Sequence, residues 1–244
     1  MKAAFIALGF IAATLASVTV CADVFTFSAS NSPGASPDAN GTVDAWTAQQ
    51  STGNGSQAGN FIGDSGANGG GSAAGAGTSA WALYANSGAS SSATASIGSL
   101  IGRPLSFVGD NISLDFDNGF IDGGSSVGIR FVNSANQTQA TFQFTGGTSE
   151  YQIVDQASSG TGIGFTANGF NLKLTLDNTA GGYTLGVGNS TFASRTLALG
   201  TSDISSIEVF NLNAGEHSER NVYFNNMVIS AVPEVSPAIA ARLP

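Results

Sequence analysis

Leu172, Leu174 and Leu176 alternate with Asn171, Lys173 and Thr175, a period of two that puts the leucines on one face of an extended chain and the polar residues on the other. Ile112, Leu114 and Phe116 repeat the pattern, as do Val127, Ile129 and Phe131, and shorter versions fall near residues 142–144 and 183–187. These segments predict strands with one buried face. Further strands are expected at Ser206–Leu212 and Val222–Ser230, and Phe25 with Phe27 marks another. No stretch beyond the first 22 residues repeats apolar residues every 3.6 positions, and the 33 glycines among 244 residues work against long helices. Asn133–Thr138 and Asp177–Gly182 are rich in residues that accept left-handed backbone or form side-chain turns, and predict antiparallel hairpins. Strands that are apolar on one face need a second sheet to cover that face. The expected fold is therefore all-β: an antiparallel two-sheet β-sandwich of jelly-roll type with little helix.

The first 22 residues read differently. Lys2, the apolar run Ala3–Ala16 and Val20-Cys21-Ala22 before Asp23 match the charged, apolar and small-residue regions of an export signal. Cleavage after Ala22 removes the chain's single cysteine, leaving no thiol for a disulfide or a cysteine-ligated metal. A competing use of Cys21 is as the lipid-bearing residue of a bacterial lipoprotein, although Val18-Thr19-Val20 departs from the leucine and small residues such a site resembles. The apolar run is too short to span a bilayer, which takes about 18–20 residues. Residues 23–231 then form one sandwich domain, and residues 232–244 an exposed tail. Within the domain, residues 48–80 are dominated by Gly, Ser, Ala and Asn, with Phe61-Ile62 the strongly apolar pair. This stretch is either a flexible linker or, as favoured here, an ordered irregular loop pinned by Phe61 and Ile62.

Charge narrows the partners. Charged residues make up 9% of the chain, against about 25% in ordinary soluble proteins, and 16 acids outweigh 7 basic residues for a formal charge of −9. Solubility must come from Ser, Thr, Asn, Gln and Gly. Such an acidic surface repels phosphate backbones, which excludes nucleic acid and anionic lipid as partners.

The densest acidic cluster, Asp115, Asp117 and Asp122, has oxygens suited to calcium, but its spacing does not fit an EF-hand loop. Asp115 and Asp117 are expected on the solvated face of a strand, without the apolar pocket that raises a glycosidase acid's pKa. His217, between Glu216 and Ser218, lies in a polar loop, and no serine stands in a nucleophile-elbow sequence. Binding suits the composition better, because sugar rings pack on aromatic faces while their hydroxyls pair with Asn and Gln. On the segment Trp81–Asn86, Trp81 shares a face with Leu83 and is expected in the core. Tyr84 and Asn86 share the opposite face and, with Trp46, are the candidate ligand residues.

Two resemblances bear on this reading. The hairpin in the 170s, the acidic glycine-containing turn near Gly215 and the closing run Val222-Tyr-Phe-Asn-Asn-Met-Val-Ile-Ser230 resemble the last strands of concanavalin-A-like and laminin-G-like sandwiches. That likeness covers roughly residues 105–230 and implies the fold without transferring an active site. Ala231-Val232-Pro233-Glu234 resembles the start of a PEP-CTERM sorting tail, but Val235 replaces the second proline and Arg242 alone remains of a basic cluster. The resemblance implies an exported bacterial protein of the extracellular matrix.

The expected protein is a secreted or cell-surface, noncatalytic carbohydrate-binding sandwich; a structural matrix or adhesion protein is the alternative, and a glycan-active enzyme a third. Intact-mass measurement of the exported protein should place its N-terminus at Asp23; a mass including a lipidated Cys21 would overturn the leader assignment.

Overall fold

The computed structural model describes residues 22–29, 45–53, 55–68 and 79–233. Residues 1–21 of the stretch read as an export signal, Cys21 among them, and the tail from Glu234 onward lie outside these residues, so the fold does not address the expectations placed on them.

The strands, in chain order, are β1 (Asp23–Phe27), β2 (Thr47–Thr52), β3 (Ala58–Gly63), β4 (Ala80–Ala85), β5 (Ala89–Ser96), β6 (Asn111–Asn118), β7 (Ser126–Val132), β8 (Thr138–Thr145), β9 (Glu150–Val154), β10 (Ser158–Gly164), β11 (Phe170–Leu176), β12 (Gly182–Val187), β13 (Ser190–Thr196), β14 (Ser206–Leu212) and β15 (Val222–Ala231). Helix is limited to α1 (Ile97–Ile101) and two short 3-10 turns among the described residues. Ser96 caps α1 by accepting from the Ser99 backbone N–H, and Gly102 ends it in left-handed backbone. No helix among the described residues is long and apolar enough to cross a membrane.

Two antiparallel sheets form the jelly-roll sandwich. Sheet I runs β13-β12-β11-β6-β15-β4-β3, with β1 also paired to β15; sheet II runs β10-β9-β8-β7-β14-β5-β2. The residues predicted from alternation face inward: Ile112, Leu114 and Phe116, the leucines of β11, and Val127, Ile129 and Phe131 all belong to one buried cluster. The hairpin chemistry is also as expected. Asn133 Oδ1 accepts from the N–H groups of Ala135 and Gln137 between β7 and β8, and Asn178 Oδ1 accepts from those of Ala180 and Gly182 between β11 and β12.

The 48–80 stretch departs from expectation. It supplies an edge strand to each sheet, β2 beside β5 and β3 beside β4, followed by a 3-10 turn at Ser65–Asn68. At a sheet edge the neighbouring backbone supplies the pairing, so small polar residues suffice where a central strand needs apolar ones. Phe61 and Ile62 do pin the segment, from opposite faces: Ile62 packs on the main core and Phe61 against Tyr223, Ala80 and Ala82.

Two strands from the end of the chain hold the sheets together. β14 pairs with β5 and β7. β15 pairs with β6 along its length, while its other edge takes β4 at Val222–Phe224 and β1 at Met227–Ala231. The change of partner coincides with an irregularity between Asn225 and Val228, where Asn226 adopts a positive φ of 49°, a conformation asparagine tolerates better than most residues. Asn225 serves both strand ends at this junction, accepting from the Ala29 N–H and donating to the Ser79 carbonyl.

Polar clamps brace the margins. Asp110, fully buried, accepts two hydrogen bonds from Arg103 at 2.7 and 3.0 Å and one each from the N–H groups of Ser106, Phe107 and Val232. Arg103 also donates to the Val232 carbonyl, so the pair fastens the exit of β15. Burial alone would raise the Asp110 pKa, but the Arg103 guanidinium and the backbone N–H groups together hold it below the usual carboxylate range. Removing one member of a buried, hydrogen-bonded pair strands the other. Asp110→Ala is therefore expected to destabilise the protein by about 3–5 kcal/mol in urea unfolding. The wild-type contribution should be lost as pH falls through the depressed folded-state pKa, because it is present only while the carboxylate is charged; an unchanged midpoint would refute the clamp.

Candidate functional site

The sequence candidates separate in space. Trp46 is 2% exposed, with ring centroids 4.8 Å from Phe224 and 5.9 Å from Trp81. It fills the core and presents no face to a ligand. Trp81 is in the core as expected. Tyr84 is half-buried on the outer face of sheet I, its ring lying directly over Gly59, where a Cβ would stand 2.5 Å from a ring carbon. Asn86 is beyond the end of β4, in a separate shallow pocket with Ser56, Gln57 and Glu216. Tyr84 and Asn86 thus do not build one platform.

The acids disperse as well. Asp115 is buried and takes hydrogen bonds from the side-chain amides of Asn171 at 3.0 Å and Asn226 at 2.8 Å. Asp122 is exposed and pairs with Arg220 at 3.0 Å. Among the described residues no three His, Cys, Asp or Glu side chains come together to hold a metal ion, so the Asp115, Asp117 and Asp122 calcium site does not fit this geometry. His217 is exposed and Glu219 half-buried, in the loop that precedes β15.

Asp117 reverses the expectation of a solvated carboxylate. It is directly opposite Tyr223 on β15, is fully buried and makes no hydrogen bond of ordinary geometry. Burial pushes its pKa up to about 7, and the nearby Asn68 amide only partly opposes the shift. Ser65 and Asn68 of the 3-10 turn are themselves fully buried; this turn belongs to the stretch read as irregular, so alternation along β6 gave no sign that an outward position would be covered. Enclosure keeps Asp117 from meeting a ligand.

A second cluster ties the sheets at the opposite margin. Arg195 of β13 donates to both oxygens of Asp155 at 2.7 and 2.8 Å and to Ser159 Oγ at 2.9 Å, while the Tyr183 hydroxyl donates to Asp155 at 2.7 Å. Burial, followed by the Asp155 carboxylate, pushes the tyrosine pKa up. This tyrosine holds its proton and acts as a structural donor.

A polar depression of about 500 Å³ lies on the outer face of sheet II. Strand register lays it out in rows. Thr47, Thr94, Glu208 and Arg130 are successive direct partners across β2, β5, β14 and β7. Ser96, Ser206, Val132 and Thr138 form the next row, with Gln49 of β2 and Asn136 of the β7–β8 turn at the margins. The lining therefore crosses five neighbouring strands, β2, β5, β14, β7 and β8, or about 19 Å at the usual interstrand spacing. Arg130 donates to Glu208 at 3.0 Å, and its guanidinium carbon is 4.0 Å from the ring centroid of Phe210, which is fully buried on this outer face. The ring holds the guanidinium flat against the sheet floor. Alternation does put Arg130, Glu208 and Phe210 outward, but their meeting depends on the register of strands 78 residues apart.

Replacing Asp117 tests the enclosed acid. Its folded pKa is above the unfolded value of 3.8, so its contribution to stability is fully present below pH 3.8 and lost as pH rises through about 7, where the unfolded chain ionises more readily. Asp117→Asn should raise Tm by about 5 °C or more at pH 8 and have little effect at pH 4; equal effects at both pH values would contradict the assignment.

No family model matches the chain, and no curated protein matches it. Solved structures resemble it weakly. A sialidase superposes with a TM-score of 0.47 at 10% identity, covering 65% of this chain, which spans only 16% of the sialidase chain. The Caenorhabditis elegans galectin LEC-6 gives 0.38 at 10% identity over 57% of this chain and 89% of its own. The family 11 carbohydrate-binding module from Clostridium thermocellum gives 0.36 at 11% identity over 81% and 95%.

Proposed function

We propose that this protein is an exported, noncatalytic carbohydrate-binding sandwich that takes its ligand on the outer face of sheet II. The observation that carries the reading is the groove itself, whose side chains are hydroxyls and amides apart from Val132 and one ion pair. Such a surface offers donors and acceptors across five strands, which matches the hydroxyl pattern of a sugar chain. The side chains stand on paired strands, whose rigidity limits the ordering cost of binding.

The noncatalytic part rests on where the perturbed groups are placed. Asp117 is sealed under the 65–68 turn, and Asp155, Tyr183 and Arg195 are committed to one another. In the groove, Glu208 is held by Arg130, so a general acid and a second carboxylate do not face each other across it.

A structural role is the second reading, favoured by the edges of sheet II. β2 (Thr-Ala-Gln-Gln-Ser-Thr) and β10 (Ser-Ser-Gly-Thr-Gly-Ile-Gly) hold no charged residue and no proline, the usual guards against edge-to-edge pairing. Light scattering showing a monodisperse monomer at high concentration would weigh against it.

Glycan-array and affinity-gel screening should find at least one retained polysaccharide, and the double variant Gln49→Ala, Thr94→Ala should weaken that retention roughly thirtyfold, at about 1 kcal/mol for each of two lost hydrogen bonds. Failure of every polysaccharide to retain the wild-type protein would overturn the binding function.

A further inference from the structure

We infer that the sheet II groove selects an extended neutral glycan and turns away acidic ones, with the Arg130–Glu208 pair as the determinant; this rests on the binding function proposed above. The row Thr47–Thr94–Glu208–Arg130 is one of two adjacent rows that cross the groove, so a chain laid across the strands passes over the ion pair or directly beside it. Arg130 is the cation of the lining and it is already engaged twice, by the Glu208 carboxylate at 3.0 Å and by the Phe210 ring at 4.0 Å. The side chains of Arg130 and Glu208 are only 28% and 22% exposed, so water screens the pair incompletely.

A uronate or sulfate group entering this row has two options. It can take Arg130 from Glu208, leaving a half-buried carboxylate beside the incoming anion, or it can remain unpaired next to Glu208. Both put like charges together with less water than either had in solution. The chain's formal charge of −9 adds a long-range repulsion against any polyanion. A neutral sugar meets neither cost: its hydroxyls donate to the free lone pairs of Glu208 and accept from Thr47, Thr94, Ser96 and Thr138 without disturbing the pair. The lining also spans five strands, about 19 Å along the rows, which favours an extended run of rings over a single terminal sugar.

Affinity electrophoresis with neutral polysaccharides (mixed-linked β-glucan, glucomannan) and acidic ones (alginate, polygalacturonate) tests this. The wild-type protein should be retained by a neutral polymer at least tenfold more strongly than by either acidic one, and shortening that polymer to a monosaccharide should abolish competition. Glu208→Gln keeps the shape of the side chain and removes its charge, and should raise the acidic-to-neutral retention ratio at least tenfold while making acidic retention salt-sensitive. Preference of the wild-type protein for an acidic polymer would overturn the selectivity and leave carbohydrate binding intact. An unchanged ratio in a folded Glu208→Gln protein would remove the ion pair as its determinant. If neither kind of polymer is retained, the binding function fails, and the selectivity with it.

Discussion

Both sheets are completed by β14 and β15, the last two strands among the described residues. β14 is inserted between β5 and β7, and β15 between β6 and the two strands β4 and β1. Neither sheet is continuous without them, so the inner faces built by the middle of the chain have no complete partner until the C-terminal region docks. The polar arrangements follow from that insertion. Arg103 and Asp110 grip the backbone of Val232 where β15 leaves, Asn225 satisfies the ends of β1 and β4, and Glu208 reaches Arg130 only because β14 lies against β7 in one register.

Three buried carboxylic acids show how differently one sandwich treats the same side chain. Asp110 is surrounded by donors and stays ionised. Asp155 is opposed by burial but held low by Arg195, then by the Ala157 N–H and the Tyr183 hydroxyl. Asp117 has neither arrangement, and burial moves its titration close to neutrality. Local sequence does not separate these outcomes, since each aspartate is beside short polar or apolar residues. What separates them is which distant segment arrives to cover them, and whether it brings N–H groups.

The same distinction explains the candidate site. Alternation along a strand places Tyr84 and Asn86 on one outward face, and Tyr84 does face outward. The sheet's outer face is not all solvent, however: Gly59 of β3 lies beneath the ring, and Asn86 lies past the strand's end. Trp46 precedes a polar edge strand and reads as exposed, yet it is drawn between Trp81 and Phe224. β5 was missed as a strand because Ala89, Ser91, Ala93 and Ala95 form an inner face of small residues, too weakly apolar to register as alternation. The groove is hidden in the sequence for a related reason, since Thr, Ser and Gln residues scattered between Thr47 and Ser206 resemble ordinary surface until strand order brings them into rows.

By itself the sequence determined the all-β, two-layer character of the protein, its hairpins and most of its core, because side-chain alternation and turn chemistry act over a few residues and are written in local order. It also determined the charge-poor, acidic surface, which is a sum over residues and needs no geometry. Only the tertiary structure decided which outward faces remain open, which acids are sealed away and which polar residues share a groove. Those properties depend on pairing between segments far apart in the chain, and a shift of one residue in that pairing would send each of these side chains to the other face.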